Sequence, residues 1–256
     1  FIVTVVIISM QGCGLKNNDQ LVLATEAGFA PYEFYQDGKI VGVDIDIAKE
    51  IAKRLDKELV IKDVSFDFLI NEVKSGKADF AAAGISITDE RKKQVDFTDE
   101  YTVSNQVVVV RNDSKLSNFN ELSNKRIAVQ LGTVADLYVS DNYPDATLVQ
   151  HKKYLSAVED VKANKVDCLI MDEIPAKNIV LKNDELKIMD GVLFQDRYGM
   201  IVKKGNDELR KQINTVLEEM VLDGTINKLV LKYSKWWGKY DEWFMGFVLS
   251  NFYIWR

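Results

Sequence analysis

Histidine, cysteine and proline are scarce in this chain of 256 residues, which holds one His, two Cys and three Pro. A lone His151 leaves no second imidazole for a His-rich metal site and makes a His-based nucleophilic triad a poor expectation. Cys13 and Cys168 are too few for a disulfide framework, and no CxxC or Cys/His cluster exists to hold zinc. So little proline, with few low-complexity runs, argues against a disordered chain. Positive charge is also in deficit: 39 acidic against 33 basic side chains give a formal charge of −6. No nucleic-acid partner is expected, because such a partner favours a basic stripe. No cofactor is expected either. What is present is apolar material, 47% of the residues, enough for one large domain or two small ones.

The two ends read as membrane-directed. Residues 1–10, FIVTVVIISM, are almost continuously apolar yet too short to span a bilayer, which takes about 20 residues. They fit the apolar region of a secretory signal. Met10-Gln11-Gly12-Cys13 resembles a bacterial lipoprotein signal with Cys13 as the lipidated residue. Met10 and Gln11 depart from that pattern, so plain secretion or an uncleaved anchor stays open. Residues 15–20 read as a polar tether, and the signal segment and tether together are taken as residues 1–19. At the other end, residues 239–256 read as a membrane-proximal tail. Phe244, Val248, Phe252 and Trp255 fall near one helical face, in a segment rich in Trp and Tyr that suits a membrane interface. The same segment read as a helix packed on the core is the alternative.

Between the ends, strands alternate with helices. Strands are expected at 21–25, 59–64, 79–83, 107–110, 126–130 and 167–171. Helices are expected at 44–55, 68–74 (capped by Asp67), 173–181, 208–222 and 226–233, the last two broken at Gly224. This order predicts an α/β fold with mainly parallel sheets. An internal echo, VKSGKADFAAAG at 73–84 and VKANKVDCLIMD at 161–172, pairs Gly76 with Asn164 and Asp79 with Asp167. Each copy reads as helix end, tight turn and buried strand, which suggests one βα lobe in each half. Ligands of open α/β sheets sit outside the carboxyl ends of strands, so a site is expected between Gly84-Ile85-Ser86 and Met171-Asp172.

Chemistry-bearing residues collect at those ends. In Gly84-Ile85-Ser86-Ile87-Thr88-Asp89-Glu90-Arg91, a strand leads into a helix capped by Thr88 or Asp89. Arg91, in its first turn, opposes the helix dipole and so calls for an anion. A surface pairing with Glu90 or Asp89 is the plainer reading. Gln130-Leu131-Gly132-Thr133 opens another helix, whose free N–H groups and hydroxyl suit an anion; Thr133 is otherwise an ordinary N-cap. Asp172 ends a buried strand and needs a cationic partner, or else caps the helix with Pro175 in its first turn. Glu26, Phe29 and Phe66 follow the first two main strands, where aromatic residues are either core or clamps for a ligand's apolar stem.

TEAGFAPYEF, GKIVGVDIDIAKEIAKRL, AGISITDERKKQVDFT, QLGT, IMD and RYGMIVKKGNDEL, taken together and in order, resemble one family. It is the extracellular solute-binding proteins (family 3) of polar amino-acid ABC transporters, with the type II periplasmic binding protein fold. The resemblance covers residues 20–238. It implies two lobes joined by two crossings, near Thr102–Val107 and Phe194–Tyr198, closing on a free amino acid. Lobe one would be 20–104 with 199–238, and lobe two 105–198.

The resemblance further implies roles. Arg91, with the Ser86 and Thr133 N–H groups, would hold the α-carboxylate. Asp172, with the Gly84 carbonyl and the Ser86 hydroxyl, would hold the α-ammonium. Phe29 and Phe66 would sandwich the side chain, Glu26 and Gln130 would line the distal end, and Met171 would lie nearby. In these motifs Glu26 has no evident cationic partner, so a cationic side chain (Arg, Lys or His) is the expected ligand and glutamine the runner-up. The expected partners are the amino acid, an ABC permease that is separate or fused C-terminally, and the membrane surface. No enzymatic activity is expected. An enzyme on the same fold would need a catalytic pair that is not visible here, and an amino-acid sensor domain of a receptor is the other alternative.

Overall fold

The computed structural model describes residues 19–234. The segments read above as a signal with Cys13 and as a membrane-proximal tail lie outside the described residues. In chain order the strands are β1 (Gln20–Thr25), β2 (Gly28–Phe29), β3 (Glu33–Gln36), β4 (Lys39–Val41), β5 (Glu58–Asp63), β6 (Phe80–Ala81), β7 (Val95–Phe97), β8 (Thr102–Arg111), β9 (Arg126–Gln130), β10 (Thr147–His151), β11 (Cys168–Asp172), β12 (Leu186–Ile188), β13 (Phe194–Tyr198) and β14 (Ile201–Lys203). The helices are α1 (Val43–Arg54), α2 (Leu69–Lys74), α3 (Asp89–Lys92), α4 (Val134–Asn142), α5 (Tyr154–Lys162), α6 (Glu173–Leu181), α7 (Asp207–Leu222) and α8 (Thr225–Ser234).

Two mixed sheets result, one per lobe. The first runs β5-β1-β6-β14-β7 and the second β10-β9-β11-β8-β12, with β13 also on β8. In the first, β1 pairs in parallel with β5 and β6. In the second, β9 pairs in parallel with β10 and β11. Helices cover both faces of each sheet, which is why Val107 to Val110 is an unbroken apolar run. Val107 and Val109 join one core, while Val108 and Val110 face another with Ile127, Val129 and Val139. The α1 stripe of Ile45, Ala48, Ile51 and Ala52 is buried as its spacing requires.

The echo is real in three dimensions. Gly76 and Asn164 both adopt positive φ, 74° and 56°, and end their helices in the left-handed conformation. The Asp79 carboxylate accepts from the Val22 N–H at 2.8 Å, and Asp167 accepts from the Arg126 N–H at 2.7 Å. Each Asp thus ties its strand to the first parallel strand of its sheet.

The sheets are linked by β8 and β13, which pair antiparallel from Phe194 opposite Gln106 to Tyr198 opposite Thr102. Two expectations need correcting. The strand expected at 107–110 starts at Thr102, because Thr102, Ser104 and Gln106 are buried polar residues on the crossing. The helix expected from residue 68 begins with a 3-10 turn at Phe66–Phe68, and the helix start at Leu69 has no side-chain cap, so Asp67 does not cap it.

Candidate ligand cleft

The carboxyl ends of the parallel strands meet between the two sheets. From β1 comes Glu26, from β5 Asp63 and Phe66, and from β6 Gly84 and Ser86. The second sheet contributes Gln130 at the end of β9, Lys153 and Tyr154 after β10, and Asp172 at the end of β11. Glu26, Phe29, Phe66, Gly84, Ser86, Gln130, Thr133 and Asp172 line one narrow, nearly closed cavity of about 10 Å³. Glu33, Ala83, Val134 and Tyr154 complete its wall. Met171 does not reach the cavity; strand alternation turns it into the core. Gly84 has φ of +54°, and a Cβ there would meet Phe29 Cε1 at 2.7 Å, so only glycine lets the Phe29 ring lie against this backbone.

Arg91 stands behind Ser86 rather than on the cavity wall. Thr88 caps its helix, accepting from the Arg91 N–H at 3.2 Å. The Arg91 side chain donates from Nη1 to the Ser86 carbonyl at 2.7 Å and from Nη2 to the Gly132 carbonyl at 2.9 Å, so it ties the two lobes. Its residue is 6% exposed. Glu90 and Asp89 pair instead with Lys93 and Lys92, at 2.6 and 3.7 Å, which excludes the plain surface pairing. Burial pulls the Arg91 guanidinium down to about 10. The direct partners of the guanidinium are carbonyls, while Asp196 and then Asp172 act on its charge without a hydrogen bond to it. The Thr133 hydroxyl donates to the Gln130 carbonyl at 2.8 Å and receives the Asp136 N–H at 3.3 Å. The Thr133 N–H, expected on a ligand carboxylate, makes a long contact of 3.3 Å to the Gln130 carbonyl.

Asp172 is the opposite case. It precedes α6 but makes no side-chain cap bond. Its Oδ1 accepts from Ser104 Oγ at 2.7 Å, from Gln106 Nε2 at 2.7 Å, and from the Tyr198 hydroxyl. All three donors are neutral. Burial raises the Asp172 carboxyl, against the Tyr198, Ser104 and Gln106 hydrogen bonds that lower it, and a nearby cation would favour its ionised form. Asp196, on β13, is pushed up to about 7, mainly by burial and then by the neighbouring Asp172. The Ser86 hydroxyl donates to Asp196, so its proton is not aimed into the cavity as a partner for Asp172.

The distal end corrects the reading of Glu26 as unpaired. Glu26 is 2% exposed, and Lys153 Nζ lies 3.3 Å from its Oε1. The same ammonium is 3.8 Å from Asp63 Oδ2, while Gln130 Nε2 donates to Glu26 Oε2 at 3.3 Å. Burial nevertheless raises the Glu26 carboxyl, with Lys153 acting against it. Glu26 and Asp63 against Lys153 leave one formal negative charge. Glu33 is fully buried. Burial and then the adjacent Asp44 raise its carboxyl well above the usual value, and it lines the cavity. Phe29 packs against Tyr32 and Tyr154, at ring-centroid distances of 5.8 and 5.5 Å, while the Phe66 ring lies 5.5 Å from Arg91 Cζ. Tyr154 therefore covers part of the Phe29 surface that a sandwich with Phe66 would use. Among the described residues no three His, Cys, Asp or Glu side chains are placed to share a metal ion.

Several of these residues were not singled out from the sequence. The Thr102, Ser104 and Gln106 alternation on β8 was a readable signal, a period of two with polar residues on one face. His151-Lys152-Lys153-Tyr154 looks like a solvated basic run, although it too follows a strand. A wider surface groove of about 920 Å³ lies on the far side of Asp196. Its charges are satisfied locally, Arg197 by Glu100, Lys204 by Asp96 and Arg210 by Asp207.

The geometry has counterparts among known proteins. Residues 21–238 match the bacterial extracellular solute-binding proteins, family 3. A putative ABC transporter arginine-binding protein 2 of Escherichia coli is 32% identical over 222 residues, covering 84% of this chain and 90% of that protein. A probable histidine-binding protein of Campylobacter jejuni is 33% identical over 220 residues, covering 83% and 84%. The crystal structure of the substrate-binding protein AbpA from Streptococcus pneumoniae, bound to L-arginine, superposes with a TM-score of 0.81 at 34% identity, covering 85% of this chain and 95% of that one. The chain belongs to the bacterial extracellular solute-binding proteins of family 3.

Proposed function

We propose that this protein captures a free cationic amino acid, arginine before lysine or histidine, between its lobes and delivers it to an ABC permease. The observation that carries the reading is the pair of incomplete charges. Asp172 is held only by neutral donors, and Arg91 only by carbonyls. An α-ammonium and an α-carboxylate complete both at once. Arg91 with the Ser86 and Thr133 N–H groups takes the carboxylate. Asp172 with the Gly84 carbonyl takes the ammonium, and the Ser86 oxygen still has lone pairs for it. Phe29, Phe66 and Tyr154 pack on the stem, and the net negative charge at Glu26, Asp63 and Lys153 takes the cationic head. The arginine named in two of the relatives described above supports this choice.

Lobe one is taken as 20–104 with 199–238 and lobe two as 105–198, supported by which strands share a sheet. A ligand touching both lobes favours the closed arrangement. Anchoring through a lipidated Cys13 and a membrane-proximal tail that docks on, or continues into, the permease is supported by the sequence patterns at the two ends. Glutamine is the second reading, favoured by Lys153 beside Glu26 and by the Gln130 amide.

Thermal-shift screening of the twenty amino acids tests the proposal. Arginine is expected to give the largest rise in Tm, with lysine or histidine next. A large rise with glutamate or aspartate and none with the cationic amino acids would overturn it.

A further inference from the structure

We infer that Lys153 is a specificity-determining residue of the cleft, an internal ammonium that competes with the ligand's cationic head for Glu26 and so sets how strongly the site prefers a charged side chain over a neutral one. The inference rests on the amino-acid-binding reading above and deepens it by assigning Lys153 a role in choosing between charged and neutral side chains.

Three observations place it. First, Lys153 comes from the second lobe while both carboxylates it approaches, Glu26 at 3.3 Å and Asp63 at 3.8 Å, come from the first. Second, its backbone sits at the N-cap of α5 in extended conformation, directly before Tyr154 on the cavity wall. Third, the position is held from both sides. The Lys152 carbonyl accepts from the Gln130 amide at 3.0 Å, and Tyr154 stacks on Phe29. The loop that carries Lys153 is thereby registered against the cavity wall.

The charges then decide the effect. Asp63 is already engaged by the Ala27 N–H at 2.9 Å and the Tyr35 hydroxyl at 3.1 Å. Glu26 is the buried member, receiving Lys153 and one long amide bond from Gln130. With Lys153 present, a guanidinium meets one net negative charge and a neutral urea or amide meets a pair that already offsets itself in part. Without Lys153, a cation meets two carboxylates and a neutral ligand leaves a buried one uncompensated. Removing Lys153 therefore strengthens the preference for a cation. Lys153 is partly exposed, so the effect is of the size of a screened pair rather than a buried one.

The experiment compares L-arginine with L-citrulline, its neutral isostere, on the wild type and on Lys153→Met, by calorimetry at pH 8. The ratio of Kd for citrulline to Kd for arginine is expected to rise by threefold or more in the variant, the size of a screened pair. A ratio changed by less than threefold overturns the inference. A second reading needs no ligand. Carbon-13 NMR of the Glu26 carboxyl, identified with Glu26→Gln, is expected to titrate at higher pH in Lys153→Met. An unmoved titration overturns the inference as well. If the wild type binds neither compound, the ligand reading falls while this NMR comparison still decides the role of Lys153.

Discussion

Asp172→Ala is expected to weaken every α-amino acid that binds, by about two to four decades in Kd. The carboxylate is fully enclosed, and its hydrogen bonds come from Ser104, Gln106 and Tyr198, none of which brings a charge. In the proposed complex the ligand ammonium is its cation. Breaking a buried ion pair by removing one member costs roughly 3–5 kcal/mol, and each 1.4 kcal/mol is about a factor of ten. The loss spans all ligands because the α-ammonium is common to them. Glu26→Ala is expected to cost less, since Glu26 meets only the side-chain end and already has Lys153. Calorimetry on both variants, with arginine and with whichever second amino acid binds, reads the comparison. A loss below tenfold for Asp172→Ala, or a larger loss for Glu26→Ala with both ligands, would remove Asp172 from its role.

The ligand-free protein is expected to lose stability as pH rises from about 4 to about 7. Asp44, fully buried, is pushed up to about 6, and Asp196 to about 7, burial being the main cause for each. In the unfolded chain both titrate near 3.9. The folded state therefore binds more protons over this interval. Stability is fully present below the unfolded value and is lost as pH climbs through the folded values. Together the two groups place on the order of several kcal/mol under pH control, and each kcal/mol moves Tm by roughly 2–4 °C for a chain of this size. A cationic ligand opposes the trend, because its ammonium favours ionised Asp172 and Asp196. The Tm increment from saturating arginine is thus expected to grow from pH 5 to pH 7.5. Carboxylates such as Asp46, Asp96 and Asp167 are lowered by their cation and N–H partners and change sign below this window. Melting curves between pH 5 and 7.5 check it. A ligand-free Tm that rises over that range would contradict the assignment.

The amount legible in the sequence differed by element for physical reasons. The turn at Gly84 to Arg91 was readable because its signals are local: a strand end, a Thr88 cap and a cation placed against a helix dipole. Asp172 was readable because a carboxylate after four buried residues demands a partner wherever the chain goes. The donors that hold it were not found, since Ser104, Gln106 and Tyr198 lie 68, 66 and 26 residues away and meet it only through antiparallel pairing at the crossing. Lys153 was missed for a related reason. β10 is an edge strand with intermediate burial, and HKKY after it reads as solvated surface. Only the facing lobe turns that lysine into a partner for Glu26. Asp67 was misread as a cap because the chain tightens into a 3-10 turn at Phe66–Phe68 before the helix begins.

The most direct test is a calorimetric comparison of L-arginine and L-citrulline on the wild-type protein at neutral pH. The two ligands share backbone charges, length and shape, so Arg91, Asp172 and the aromatic residues treat them alike, and the difference reports the charge at the Glu26 end alone. A buried, hydrogen-bonded charge interaction is worth roughly 1.5–3 kcal/mol. The account predicts arginine tighter by at least tenfold. Citrulline binding as tightly as arginine would show that the distal end of the cleft does not select a cation.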